Sequence, residues 1–91
     1  MSEHIVPIGK NILIREVEQA KGSLFLIEKK KERIMRATVL SLGESEDIQL
    51  SPINIGDQVI VDRYKGNLID SSEELQIVEL KDILAMIVEI V

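Results

Sequence analysis

The sequence predicts an all-β protein, a small irregular antiparallel β-barrel, and three observations carry that prediction. Short runs rich in Ile, Val and Leu alternate with turn signals along the chain. Pro7, Gly9, Gly43, Gly56 and Gly66 fall at the ends of those runs. About five or six such runs fit into 91 residues and leave no space for long crossover helices.

The first run, Asn11 to Val17, follows Pro7 and Gly9. The second, Met35 to Leu42, is stopped by Gly43. The third, Gln58 to Asp62, opens after the turn dipeptide Gly56-Asp57. Tyr64-Lys65-Gly66-Asn67 reads as a tight connection into Leu68-Ile69, and Leu75 to Leu80 follows. The last stretch, Ala85 to Val91, could be read as a buried helix because its apolar residues leave no gaps at a period of 3.6, but its β-branched content makes it a strand. A strand that is apolar on both faces needs cover on both sides. In a chain this short a neighbouring subunit is the available source.

Between the first two runs the pattern breaks. Glu18 to Ser23 is polar, Leu24 to Ile27 is an apolar island, and Glu28 to Arg33 is an unbroken charge run. Two readings stand at this point. Leu24 to Ile27 is either an extra core strand with a solvated charged turn, or part of a long functional loop.

Composition excludes several function classes. The chain has no cysteine, so disulfides, thiolate metal sites and cysteine nucleophiles are out. The single histidine, His4, lies near the terminus and offers no multi-histidine metal site and no triad. Sixteen acidic against eleven basic residues give a net charge of −5, which repels phosphate backbones. Tyr64 and Phe25 alone are aromatic, too few for base stacking. Glu44, Glu46 and Asp47 lack calcium-loop spacing, and no phosphate-binding loop is present. No catalytic residue, metal site or cofactor is expected. The longest apolar run, Ile83 to Val88, is too short to span a membrane, and the start of the chain lacks the order of a signal peptide. A cytoplasmic location is the expectation.

Four strings, in register, resemble the GroES-like co-chaperonin family. Gly56-Asp57-Gln58-Val59-Ile60-Val61-Asp62-Arg63-Tyr64-Lys65-Gly66 is similar to its G-D-x-V-x-x-x-x-Y-x-G signature. Asp82-Ile83-Leu84-Ala85 matches the D-I-L-A that opens its C-terminal strand. Pro7-Ile8 and the run to Arg15 resemble its first strand, and Arg36 to Gly43 resembles R-G-x-V-L-A-V-G with Ala37 in place of the glycine. The resemblance spans Ile5 to Val91 and makes residues 1–91 one domain.

The resemblance implies a barrel subunit assembled as a homoheptamer that caps a large chaperonin ring in its nucleotide-bound state. Unfolded protein substrates are then enclosed indirectly, and the ATP chemistry belongs to the chaperonin. It implies that residues 17–33 form a mobile loop whose Gly22, Ser23, Leu24, Phe25, Leu26 and Ile27 dock on the chaperonin. It implies a subunit interface through Ala85, Met86, Ile87, Val88, Ile90 and Val91, where first and last strands of neighbours pair. It also implies a roof hairpin at residues 44–55, here shortened. Ser23, Phe25 and the charged Glu28 to Arg33 run depart from the family pattern and mark a divergent member. The competing expectation is a stand-alone β-barrel adaptor without ring assembly.

Overall fold

Alternation of inward and outward side chains builds the sheet. A computed structural model describes residues 3–17 and 33–90. Strand β1 (Asn11–Glu16) buries Ile12 and Ile14 in the core. Strand β2 (Ile34–Leu42) contributes Met35, Ala37 and Val39, and β3 (Gln58–Asp62) contributes Val59 and Val61. Strands β4 (Asn67–Asp70), β5 (Leu75–Glu79) and β6 (Ile83–Ile87) complete it. Their order across the sheet is β4-β5-β1-β2-β3-β6, antiparallel throughout. The sheet curls around one apolar cluster, which is the expected small irregular barrel.

Irregularities in the ladders help it curl. The β1–β2 register shifts between Leu13 and Ile14, and the β3–β6 register shifts between Ile60 and Val61. Leu13, on the opposite face from Ile12 and Ile14, is also buried. It lines a hollow with Ile5, Val6, Leu40 and Leu75, so the N-terminal segment covers part of the outer face.

Two expectations need correction. Residues 44–55 contain no strand pair, so a hairpin does not form there. The short helix α1 (Glu46–Leu50) stands in its place. The Ser45 side chain accepts a hydrogen bond from the Ile48 N–H at 3.2 Å, and the Ser51 hydroxyl donates to the Ile48 carbonyl at 2.8 Å. Those caps turn Ile48 into the core, and Ile53 follows it there. The capped turn is what buries Ile48 from one side of the helix, while Ile53 reaches the core from the chain that follows it.

The last strand also begins and ends earlier than expected. It runs from Ile83 to Ile87, after a 3-10 turn at Leu80–Asp82, and not from Ala85 to Val91. Its neighbour β3 dictates this. Gln58, the first residue of β3, pairs with Ile87, so Val88 has no ladder partner left. Leu80 likewise belongs to the turn rather than to β5.

Gly43 holds the start of β1 against the end of β2. Its N–H donates to the Asn11 carbonyl at 2.9 Å, and a Cβ placed there would run into the backbone carbonyls of Gly9 and Asn11. Backbone atoms cannot swing aside as a side chain can. Gly43→Ala is therefore expected to destabilise the protein by about 1–3 kcal/mol. A urea titration at fixed protomer concentration measures it, and an unchanged midpoint would refute the close approach.

Candidate functional site: the root of residues 18–32 and the open sheet edge

Residues 17 and 33 lie at neighbouring strands because β1 and β2 pair side by side. The Val17 N–H donates to the Arg36 carbonyl at 2.9 Å, which carries the β1–β2 ladder one step past Glu16. On the other side the Arg63 N–H donates to the Arg33 carbonyl at 2.6 Å. The chain between those two points, residues 18–32, is thus carried on an anchored base at one end of the barrel. Gly22, Ser23, Leu24, Phe25, Leu26 and Ile27 lie outside the described residues.

Two ion pairs stand at that base. Arg63 Nη1 meets Glu16 Oε1 at 2.8 Å, and both side chains are mostly enclosed, at 14% and 19% exposure. Arg33 Nε donates to Asp62 Oδ2, also at 2.8 Å. Asp62 Oδ1 accepts the Tyr64 N–H at 2.9 Å, which shapes the turn after β3. The Arg33 hydrogen bond, then the Tyr64 N–H, hold the Asp62 carboxyl below the usual carboxylate range, and the carboxylate in turn raises the Arg33 guanidinium.

The second feature is the sheet edge. Strand β6 closes one side of the strand order, so no described strand covers its outer edge. Of the expected interface residues, Met86 and Ile87 are half-buried, while Ala85, Val88 and Ile90 are exposed, Ile90 at 93%. Val91 lies outside the described residues. Met86 packs on the core cluster, so β6 shares its side chains between the barrel interior and its surroundings. The N-terminal segment adds exposed Ile5, Val6 and Ile8. These N-terminal residues and the Glu16–Arg63 pair were not singled out from the sequence. Glu16 and Arg63 are far apart along the chain and bear no local pattern; only the strand order brings them together.

Among the described residues no group of His, Asp or Glu could hold a metal ion, and no helix among them is long and apolar enough to cross a membrane. With this geometry in place, comparison with known proteins places the chain. A family model described as "Chaperonin 10 Kd subunit" matches residues 4–87. The chain is 35% identical over 89 residues to the co-chaperonin GroES of Thermotoga neapolitana, covering 93% of this chain and 97% of that protein. It is 35% identical over 89 residues to the co-chaperonin GroES of Methanosarcina barkeri, with the same coverage. Against that of Kosmotoga olearia the identity is 32%, with 93% and 98% covered. The chain belongs to the chaperonin 10 kDa subunit family, and its function is that of a co-chaperonin.

The carboxylate at the base gives a pH prediction. Folding lowers the Asp62 pKa, so its contribution to stability is present above the unfolded carboxylate value of about 3.9. It is lost as pH falls through the lower folded value. Asp62→Asn is expected to be less stable than the native chain at neutral pH and to converge with it in acid. Urea midpoints across that range at fixed protomer concentration test this; a gap that stays constant into acid would rule out the Asp62 charge as its source.

Proposed function

We propose that the protein forms a homoheptameric ring, caps a large chaperonin ring in its nucleotide-bound state, and docks through residues 17–33. The match to the chaperonin 10 kDa family across residues 4–87 carries this reading. The fold supports it: both ends of the 18–32 segment leave one end of the barrel, and an apolar edge strand is left for a neighbour. Gly22 and Ser23 lead the docking segment, Leu24, Phe25, Leu26 and Ile27 enter an apolar groove of the partner, and Ala85 to Val91 meets the adjacent subunit. The protein itself is not an enzyme in this reading, and the chaperonin supplies ATP hydrolysis. It works in the cytoplasm, beside a partner that consumes ATP.

Magnitudes favour many weak contacts over one strong one. Burying Leu24, Phe25 and Leu26 yields about 1.5–3 kcal/mol each. Ordering the segment costs about 1–2 kcal/mol per residue. A single segment therefore holds weakly, and seven on one ring hold together through effective concentration. Such a cap grips firmly and still releases when the partner changes state.

Native mass spectrometry of the purified chain is expected to give a heptamer, and trimming residues 87–91, the end of the edge strand and the apolar tail after it, is expected to abolish it. A folded monomer at micromolar concentration would favour the stand-alone adaptor instead. Trypsin is expected to cut the free protein first at Lys21 or within Lys29 to Arg33, and nucleotide-bound chaperonin to protect those bonds.

Leu26→Ser tests the docking segment itself. It removes about 1.5–3 kcal/mol of burial per subunit, multiplied around the ring. Inhibition of the chaperonin ATPase is expected to fall sharply while the melting temperature of the free ring stays put. The opposite pattern, a lowered melting temperature with full inhibition, would make Leu26 a core residue.

A further inference from the structure

We propose that Glu16, Arg33, Asp62 and Arg63 form a root clamp, a set of positioning residues that hold both ends of residues 18–32 in a fixed frame for chaperonin capture. The proposal rests on the docking reading above and adds to it a role for the charged residues at the base of the segment.

The clamp follows from strand order and alternation. Glu16 shares its strand face with Ile12 and Ile14, and Arg63 is the residue that follows β3, its side chain 14% exposed. Both lie toward the barrel interior at the end where residue 18 leaves. Strands β1 and β3 are both neighbours of β2 but not of each other, so the Glu16–Arg63 pair crosses β2 to join them. It therefore ties the strand that leads into the segment to the strand that receives β2 on its return.

The backbone explains why a tie is needed there. Among the described residues, Val17 makes the last rung between β1 and β2, at Arg36. Beyond it, the described strand that pairs with Ile34 and Met35 is β3. Ladder ends with one neighbour fray. Arg33 is held by its carbonyl to the Arg63 N–H and by its guanidinium to Asp62, so the same two strands meet from both sides.

Burial separates this pair from ordinary surface pairs. The Lys81–Glu79 and Lys10–Asp47 pairs have both side chains more than half exposed, at 3.9 and 3.5 Å. Solvent screens such pairs to near nothing. The enclosed Glu16–Arg63 pair is shorter and less screened. Holding the ends fixed restricts the conformations that must be given up on docking, whereas frayed ends add residues to the part that has to be ordered.

The test uses the assembled ring and a purified GroEL-like chaperonin ring loaded with ADP. The variants are Glu16→Gln with Arg63→Met, which removes both charges together, and the reversed pair Glu16→Arg with Arg63→Glu. Removing both charges avoids stranding one of them. The double variant is expected to stay a ring by native mass, to exchange the Val17 and Arg63 amide protons faster, and to bind the chaperonin about tenfold or more weakly, because a small penalty repeats in every subunit. The reversed pair is expected to recover part of that affinity. A loss of affinity that only tracks loss of ring assembly overturns the proposal. So does unchanged affinity in the double variant when Leu26→Ser weakens binding. If Leu26→Ser is equally without effect, the docking reading has failed and the clamp falls with it.

Discussion

The pairing of β2 with β1 on one side and β3 on the other is the interaction on which the rest of the molecule hangs. It supplies Ile12, Ile14, Met35, Ala37, Val39, Val59 and Val61 to the core from three adjacent strands. It brings the end of β1 beside the start of β2, so a long excursion of the chain begins and ends at one place. It also sets β3 at the flank, where β6 becomes the last strand. Slipping β2 by one residue would turn Met35, Ala37 and Val39 to the other face, so the pairing is strongly specified.

A second constraint is size. A chain of 91 residues buries a smaller share of its surface than a larger domain does. Of the apolar side chains left exposed, Ile5, Val6 and Ile8 sit near one terminus and Leu84, Val88 and Ile90 on or after the edge strand, while Ile34, Leu50, Ile55, Tyr64, Leu68 and Ile69 lie elsewhere. In the proposed ring the edge-strand group meets the neighbouring subunit. Marginal core and open edge are thus two aspects of one economy, in which assembly completes what the single chain begins.

The end of the barrel below residues 18–32 serves a different purpose. There the chain uses charge rather than apolar contact, with Glu16, Arg33, Asp62 and Arg63 arranged around the ladder ends. An apolar seal at that place would have competed with whatever the segment itself is meant to bind. The enclosed Glu16–Arg63 pair gives a defined geometry without offering a sticky surface.

Much of this was legible in the sequence. Alternation over Met35 to Leu42 and over Gln58 to Asp62, with Gly43 and Gly56 as stops, determined the strands, since period-two patterning and turn residues are local properties. Four strings in family order determined the kind of protein. The tertiary structure alone decided where a strand stops for want of a partner, as at Ile87 opposite Gln58, and that a short helix at Glu46–Leu50 stands between β2 and β3 with Ile48 in the core. It alone placed Glu16 against Arg63. Such features depend on which segments lie side by side after folding, and no local pattern records that.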